Sequence, residues 1–133
     1  MAKSDPSQKP KPTASELAIL RVLWHRGPST VREIREALAD EREMGYTTVL
    51  KFVQIMHEKG LVKRDDAGKT HVFSAALAAE KMQRRLVGDF LDKVFSGSVS
   101  QLVMHALGSK KTTPEEVRAI RALLDKIDPP KKD

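Results

Sequence analysis

The chain contains no cysteine, and this absence excludes several kinds of chemistry at once. Disulfides, thiolate metal sites and cysteine nucleophiles all require that residue. Residues 1 to 5 lead into polar sequence instead of the apolar stretch of a signal peptide, so the missing cysteines favour a cytoplasmic protein. No apolar run approaches the roughly 18 residues that cross a bilayer, and we expect no membrane insertion.

Sequence signatures of catalysis are also missing. The four histidines are widely spaced and none forms a metal-ligand pair with another: His25, His57, His71 and His105. The sequence has no glycine-rich phosphate loop and no nucleophile elbow. We therefore expect no enzyme activity, no metal site and no cofactor.

The chain is basic, but its charge does not say where a partner binds. The net charge of +6 and the pI near 9.7 favour a polyanionic partner. Up to Leu77 there are 13 Lys and Arg against 10 Asp and Glu, and beyond it 11 against 8, so each part carries +3. Another signal must identify the binding surface.

That signal comes from the segment between Tyr46 and Gly60, where apolar and polar residues separate at helical spacing. Its apolar residues recur at i, i+3, i+4 and i+7 and predict one buried face: Val49, Phe52, Val53 and Met56. The opposite face carries Thr47, Lys51, Gln54 and Glu58. The first three are side-chain types that contact phosphates and base edges in the major groove, so the pattern predicts a DNA recognition helix. The alternative is an ordinary surface helix whose polar face is only solvated.

The sequence before this segment predicts two more helices. The first begins at a capping box formed by Thr13 and Glu16 and ends at Gly27. The second begins at a similar box formed by Thr30 and Glu33.

The sequence after Gly60 predicts a β-hairpin. Leu61–Arg64 and Lys69–Phe73 form two short strands around a glycine-containing turn, and Thr30 and Val31 supply a minimal third strand. The order helix, helix, helix, hairpin is that of a winged helix-turn-helix domain.

Three further helical patterns follow, and their apolar stripes are too extensive for about 50 residues to bury alone. A second copy of the chain is the simplest partner, since a two-fold dimer also presents two recognition helices to a pseudo-palindromic site. The alternative is that these helices fold back on the winged domain of the same chain. The residues expected at the dimer interface are Leu86, Phe90, Val94, Phe95, Leu102, Val103, Leu107, Ile120, Leu123 and Leu124.

These patterns divide the chain into four parts. We predict a mainly α fold with a small β-hairpin: a disordered basic tail in residues 1 to 12, a winged-helix DNA-binding domain in 13 to 77, a three-helix dimerisation domain in 78 to 127, and a disordered tail in 128 to 133.

Within the predicted recognition helix, Thr47 and Thr48 are expected to contact phosphate and to cap the helix. Lys51 and Gln54 are expected to read bases, because Lys pairs with guanine acceptors and Gln with adenine. Leu50 is placed to touch a thymine methyl. Tyr46 either packs in the core or donates a hydrogen bond to a phosphate.

Outside that helix, the candidate contacts lie on the hairpin and at the start of the second helix. Arg64, Lys69 and His71 are expected to meet phosphates or the minor groove, the alternative being a solvated hairpin. Thr30 and Arg32, together with Ser29, are further phosphate candidates.

Over residues 13 to 127 the chain resembles the penicillinase repressor family of the BlaI and MecI type. The motifs that carry the resemblance are Ser15-Glu16-Leu17 with Leu23-Trp24, Tyr46-Thr47-Thr48-Val49, Glu58-Lys59-Gly60-Leu61-Val62 and Gly97-Ser98-Val99. The resemblance implies a homodimeric winged-helix repressor that binds a double-stranded DNA operator and often controls genes for antibiotic resistance or a membrane sensor protease. It also implies release from DNA by a regulatory protease that cuts the tail domain.

The sequence departs from the family pattern at three points. His105-Ala106 stands where the best-known members are cut between Asn and Phe. The paired cysteines of the copper-responsive branch are missing, which excludes metal release through thiolates. Ile55 stands where relatives often carry Arg, which predicts a different operator. The competing function is a winged-helix module that binds another protein without sequence-specific DNA binding.

Overall fold

The computed structural model describes residues 11–131 and contains six helices and one antiparallel hairpin over that range. The mainly α fold class with a small hairpin is confirmed. The predicted basic tail falls almost entirely outside the described residues. The elements are α1 (Ala14–Arg26), α2 (Val31–Leu38), α3 (Tyr46–Lys59), β1 (Val62–Asp65), β2 (Val72–Ala75), α4 (Ala79–Phe95), α5 (Val99–Ser109) and α6 (Pro114–Ile127).

The chain divides into two compact units, and the division lies inside α4. The first unit ends at Leu86 and the second begins at Val87. Met82, in the first half of α4, is fully buried in the core of the first unit, and Leu86 packs against that core. The domain limits expected from sequence, at residues 77 and 78, remain a prediction. Within residues 11–131 no helix is both long and apolar enough to cross a bilayer.

The first unit has one core, to which α1, α2, α3, the hairpin and Met82 contribute. Both predicted capping boxes are present, since the hydroxyls of Thr13 and Thr30 accept from the backbone N–H three residues on and the glutamates there return the contact. The buried apolar residues of these elements are Ala18, Ile19, Leu20, Leu23, Val31, Ile34, Leu38, Val49, Val53, Met56, Leu61, Val62 and Phe73.

The hairpin differs from its prediction in the second strand. β2 begins at Val72, so Lys69 and His71 lie in the loop and not in a strand. The physical reason is the turn, where Asp65 Oδ1 accepts from the Ala67 amide at 2.9 Å, and the burial of Phe73, which fixes the register Arg64↔Phe73.

The third strand is also one residue away from its prediction. Ser29, not Thr30 or Val31, pairs with Phe73 through two backbone hydrogen bonds of 2.9 and 2.8 Å. Thr30 caps α2 and Val31 begins it, so neither of them pairs with the strand.

The second unit consists of the end of α4 followed by α5 and α6. Ser98 caps α5, and a capping box of Thr113 and Glu116 opens α6 with Pro114 in its first turn. The ring of Phe95 lies 5.8 Å from that of Phe90 and 5.5 Å from that of His105. No residue of α5 or α6 is buried.

A partly buried ion pair joins the C-terminal end of α3 to the N-terminal end of α1. Lys59, at the end of α3, donates to both carboxylate oxygens of Glu16, near the start of α1, at 2.9 and 3.0 Å. The Glu16 side chain is only 2% exposed. Burial raises the pKa of Glu16, but the hydrogen bonds from Lys59 and Thr13 and the charge of Lys59 outweigh it, so the pKa lies below its ordinary value.

We expect Glu16→Gln to lower the free energy of unfolding at neutral pH by about 1–2 kcal/mol, because glutamine retains the capping box but loses the charged contact with Lys59. A depressed folded-state pKa means that the contribution of Glu16 is present above its unfolded pKa and is lost as the pH falls through the folded value. Urea unfolding at several pH values measures both effects.

The matched control is Glu41→Gln, which breaks the exposed Arg21–Glu41 pair of 2.7 Å and should cost no more than about 0.5 kcal/mol. Equal losses in the two variants would contradict a special role for the Glu16–Lys59 pair.

Candidate nucleic-acid interface

The polar face of α3 is open to solvent. Val49, Val53 and Met56 are fully buried at 0% exposure, and this orientation turns Lys51 and Gln54 outward. Within residues 11–131 neither Lys51 nor Gln54 has a hydrogen-bond or ion-pair partner in the chain. The predicted separation of faces is therefore present, and two long polar side chains project from the helix with their donors unused.

The start of α3 is built differently from the prediction. Gly45 is the N-cap, and no side chain caps the helix, so the capping expected of Thr47 and Thr48 was wrong. These two threonines lie inside the first turn, two and three positions after the N-cap residue. The first amides of α3 therefore keep hydrogen-bonding capacity for an anion.

A cation that the sequence analysis missed lies beside this helix start. Arg35, on α2, lines a shallow surface depression together with Met44 and Gly45. Within the described part of the chain Arg35 forms no ion pair, unlike Arg32, which lies 3.8 Å from Glu36. The exposed, charged side of α2 was visible in the sequence, but its position next to Gly45 depends on how the loop between α2 and α3 folds back.

Two side-chain contacts fix that loop. Arg42 donates to the Ser15 hydroxyl at 2.9 Å, and Glu41 pairs with Arg21 at 2.7 Å. Both contacts tie the loop to α1. They hold the start of α3 in place on the side where its amides are exposed.

The remaining residues that were predicted to contact DNA differ in their exposure to solvent. Tyr46 is 48% exposed, whereas Leu50 is half-buried and packs against the core. The Thr30 hydroxyl is engaged in its capping box, and Arg32 is exposed. Tyr46 is thus more accessible to a ligand than Leu50.

The hairpin, formed by β1, β2 and the loop between them and called the wing below, carries its charged side chains in a small cluster. His71 Nδ1 lies 2.6 Å from Asp66 Oδ1, and Arg64 Nε lies 2.9 Å from the same oxygen. Lys69 is exposed in the loop between them and forms no ion pair within residues 11–131. All three predicted wing residues are solvent-accessible, but two of them share an acidic partner that the sequence analysis did not identify.

The residues predicted for dimerisation fall into two groups. Phe90, Val94, Val103, Leu107, Leu123 and Leu124 are exposed, between 41% and 58%. Leu86, Phe95, Leu102 and Ile120 are half-buried. Ten of the twelve large exposed hydrophobic residues in the described chain belong to the second unit.

A model of the family described as penicillinase repressor matches residues 12–126. The chain belongs to the penicillinase repressor family. The family consists of transcriptional regulators, and membership assigns this chain DNA-binding repressor function. The resemblance noted in the sequence is thereby confirmed.

Several members and structures are similar to this chain. The transcriptional regulator BlaI of Mycobacterium tuberculosis is 29% identical over 115 residues, which cover 85% of this chain and 82% of the relative. The penicillinase repressor of Staphylococcus aureus is 18% identical over 113 residues, covering 85% and 90%. The solution structure of monomeric Bacillus licheniformis BlaI in complex with the blaP half-operator matches with a TM-score of 0.48, 16% identity and coverage of 55% and 89%.

The exposure of Lys51 and Gln54 predicts that their truncation leaves folding unchanged. Lys51→Ala and Gln54→Ala should each alter the free energy of unfolding by less than about 0.5 kcal/mol, since neither side chain contacts the core. Urea unfolding tests this, with Val53→Ala as the control that loses about 1–2 kcal/mol from a fully buried site. A large loss in either polar variant would show that its side chain stabilises the fold.

Proposed function

We propose that the chain represses transcription as a homodimer whose two α3 helices each read one half of a pseudo-palindromic operator. The observation that carries this proposal is the exposure of Lys51 and Gln54 on a helix whose opposite face is fully buried. Lysine donates to guanine acceptors and glutamine bonds both donor and acceptor atoms of adenine. Since both side chains are free of partners within residues 11–131, base contact breaks no intramolecular bond.

Contacts to phosphate would fix the position of α3 on the duplex. The open amides at Thr47 and Thr48 suit a phosphate oxygen, because a helix N-terminus carries partial positive charge. Arg35 lies at the same end of α3 and adds a full charge. Lys69 and Arg64, the latter paired with Asp66, place further cations on the wing, and His71 lies in the same loop. These groups supply affinity, whereas Lys51 and Gln54 supply sequence preference.

The competing proposal is a winged-helix module that binds a protein through the same face of α3. Family membership and the position of Arg35 beside the start of α3 favour DNA. Salt dependence separates the two, because each phosphate contact releases counterions and makes binding weaken steeply as salt rises.

We expect Lys51→Ala and Gln54→Ala to lose about 1–3 kcal/mol of discrimination between a selected operator and its point-mutated versions. Lys69→Ala should instead weaken binding to all duplexes by a similar factor and reduce the salt dependence. The operator can be recovered by selection from random-sequence duplexes, and fluorescence anisotropy at several salt concentrations measures both effects. Equal binding of wild type and Lys51→Ala to every duplex would argue against base readout.

The apolar surface of the second unit is the basis on which we propose a dimer. Its apolar residues remain exposed in the single chain, and water contact with this much apolar area is unfavourable. A second copy offers the same stripe in a self-complementary, two-fold arrangement. Such a dimer would set the spacing between the two operator halves.

The name of the Staphylococcus aureus relative, a penicillinase repressor, supports a gene of antibiotic resistance as the target. Release by a protease is a further part of the proposal. The bond His105–Ala106, which corresponds to the family cleavage position, lies within α5. A protease would have to unwind this helix locally before cutting it.

We expect Leu124→Asp to shift the full-length protein from dimer to monomer at micromolar concentration, because a charge would be buried in the interface. Sedimentation equilibrium measures the change. Ala122→Asp is the matched control, because Ala122 is exposed on the opposite side of α6 and its replacement should leave the dimer intact. Monomeric wild type under these conditions would contradict the proposal.

A further inference from the structure

The part of the first unit that the structure describes, residues 11–86, exposes two large hydrophobic side chains, and both belong to α3. Tyr46 is 48% exposed and Ile55 is 36% exposed. Single exposed apolar residues are common on protein surfaces, but α1, α2 and the hairpin carry no exposed large hydrophobic residue. In this unit, such side chains are therefore exposed on the helix that we propose to enter the major groove.

Ile55 lies on the same side of α3 as Lys51. Thr48, Lys51 and Ile55 follow one another at i, i+3 and i+7, and residues at this spacing are neighbours along one side of a helix. All three are exposed. Tyr46, in contrast, is about 140° away from Lys51 around the helix axis. A base pair contacted by Lys51 would therefore have Ile55 close by, about 6 Å further along the helix.

Leu50, which the sequence favoured for the contact with a thymine methyl, has a different environment. It is half-buried and packs against the core of the first unit. Moving this side chain toward DNA would open that packing, which a close-packed core resists. Ile55 is more exposed than Leu50 and can contact DNA without such a change.

The surroundings of Ile55 fit a small apolar group. Lys51 lies four residues before it and Glu58 three residues after it, and both are exposed and charged. One apolar side chain between two charges is too small an area for a protein interface, which buries about 800 Å² on each partner. The apolar group that a base pair presents in the major groove is the C5-methyl of thymine. Because Ile55 is β-branched, a helix restricts it to one main rotamer, and the contact costs little side-chain entropy.

We propose that Ile55 is a specificity-determining residue that packs against the C5-methyl of a thymine near the base contacted by Lys51. The inference rests on the proposed base readout by α3 and adds one position to it. Successive bases of a strand are about 3.4 Å apart, so a step of about 6 Å along the helix corresponds to about two base pairs. Each half of the operator should therefore contain a required thymine at that distance from the Lys51 contact.

The test replaces the thymines of the selected operator one at a time by uracil, which lacks the methyl group and retains the hydrogen-bonding atoms. Fluorescence anisotropy measures the affinity of the full-length protein for each duplex. At one thymine in each half, uracil should weaken wild-type binding by about three- to fivefold, the loss expected when one methyl group leaves an apolar contact. Ile55→Ala should bind the thymine and uracil duplexes equally at that position and retain the preferences that depend on Lys51 and Gln54.

The matched control is Leu50→Ala, which truncates an apolar side chain of α3 that packs against the core. This variant should distinguish thymine from uracil as wild type does. Ile55→Val, which removes one methylene group, should retain part of the discrimination. Urea unfolding of each variant establishes that the native state is populated under the conditions of the binding assay.

Three results would overturn the inference and leave operator recognition intact. These are equal binding of wild type to the operator and to every uracil-substituted duplex, undiminished discrimination in Ile55→Ala, and loss of discrimination in Leu50→Ala but not in Ile55→Ala. Failure of wild type to prefer any selected duplex is a different result. It would overturn the proposed base readout and this inference with it.

Discussion

The burial of one face of α3 is the constraint on which the rest of the candidate interface depends. Val49, Val53 and Met56 are removed from water only if this face of the helix is oriented toward α1, α2 and the hairpin. Since successive residues are about 100° apart around the helix, this orientation places Lys51 and Gln54 on the solvent side. The hydrophobic effect thus orients the side chains that we propose to read DNA, although it acts on other residues.

The ends of α3 are fixed by different means. At its C-terminal end Lys59 is held by the buried carboxylate of Glu16, and Gly60 adopts the left-handed conformation that ends the helix. At its N-terminal end Gly45 offers no side chain, and the preceding loop is tied to α1 through Arg42 and Glu41. At the C-terminal end the lysine is therefore paired within the fold, whereas the N-terminal end leaves amides available to an external anion.

The two units meet their stability requirements in different ways. The first encloses a continuous apolar core that includes Met82 from α4. In the second, the contacts between Phe95 and its ring neighbours bury little, and no residue of α5 or α6 is buried. The capped helices of the second unit therefore leave their apolar stripes exposed to water. This exposure is the physical basis for proposing a dimer.

Local interactions were readable from the sequence. The capping boxes of α1 and α2 follow from side chains three residues apart, and the solvent-facing position of Lys51 follows from helical periodicity. Contacts between residues distant in the sequence could not be predicted in this way. The approach of Arg35 to Gly45, the pairing of Ser29 with Phe73 and the sharing of Asp66 by Arg64 and His71 all depend on how loops close. Helical spacing determines which face of a helix is polar, but only the folded chain decides which charges meet, because loop closure brings together residues that no short-range pattern relates.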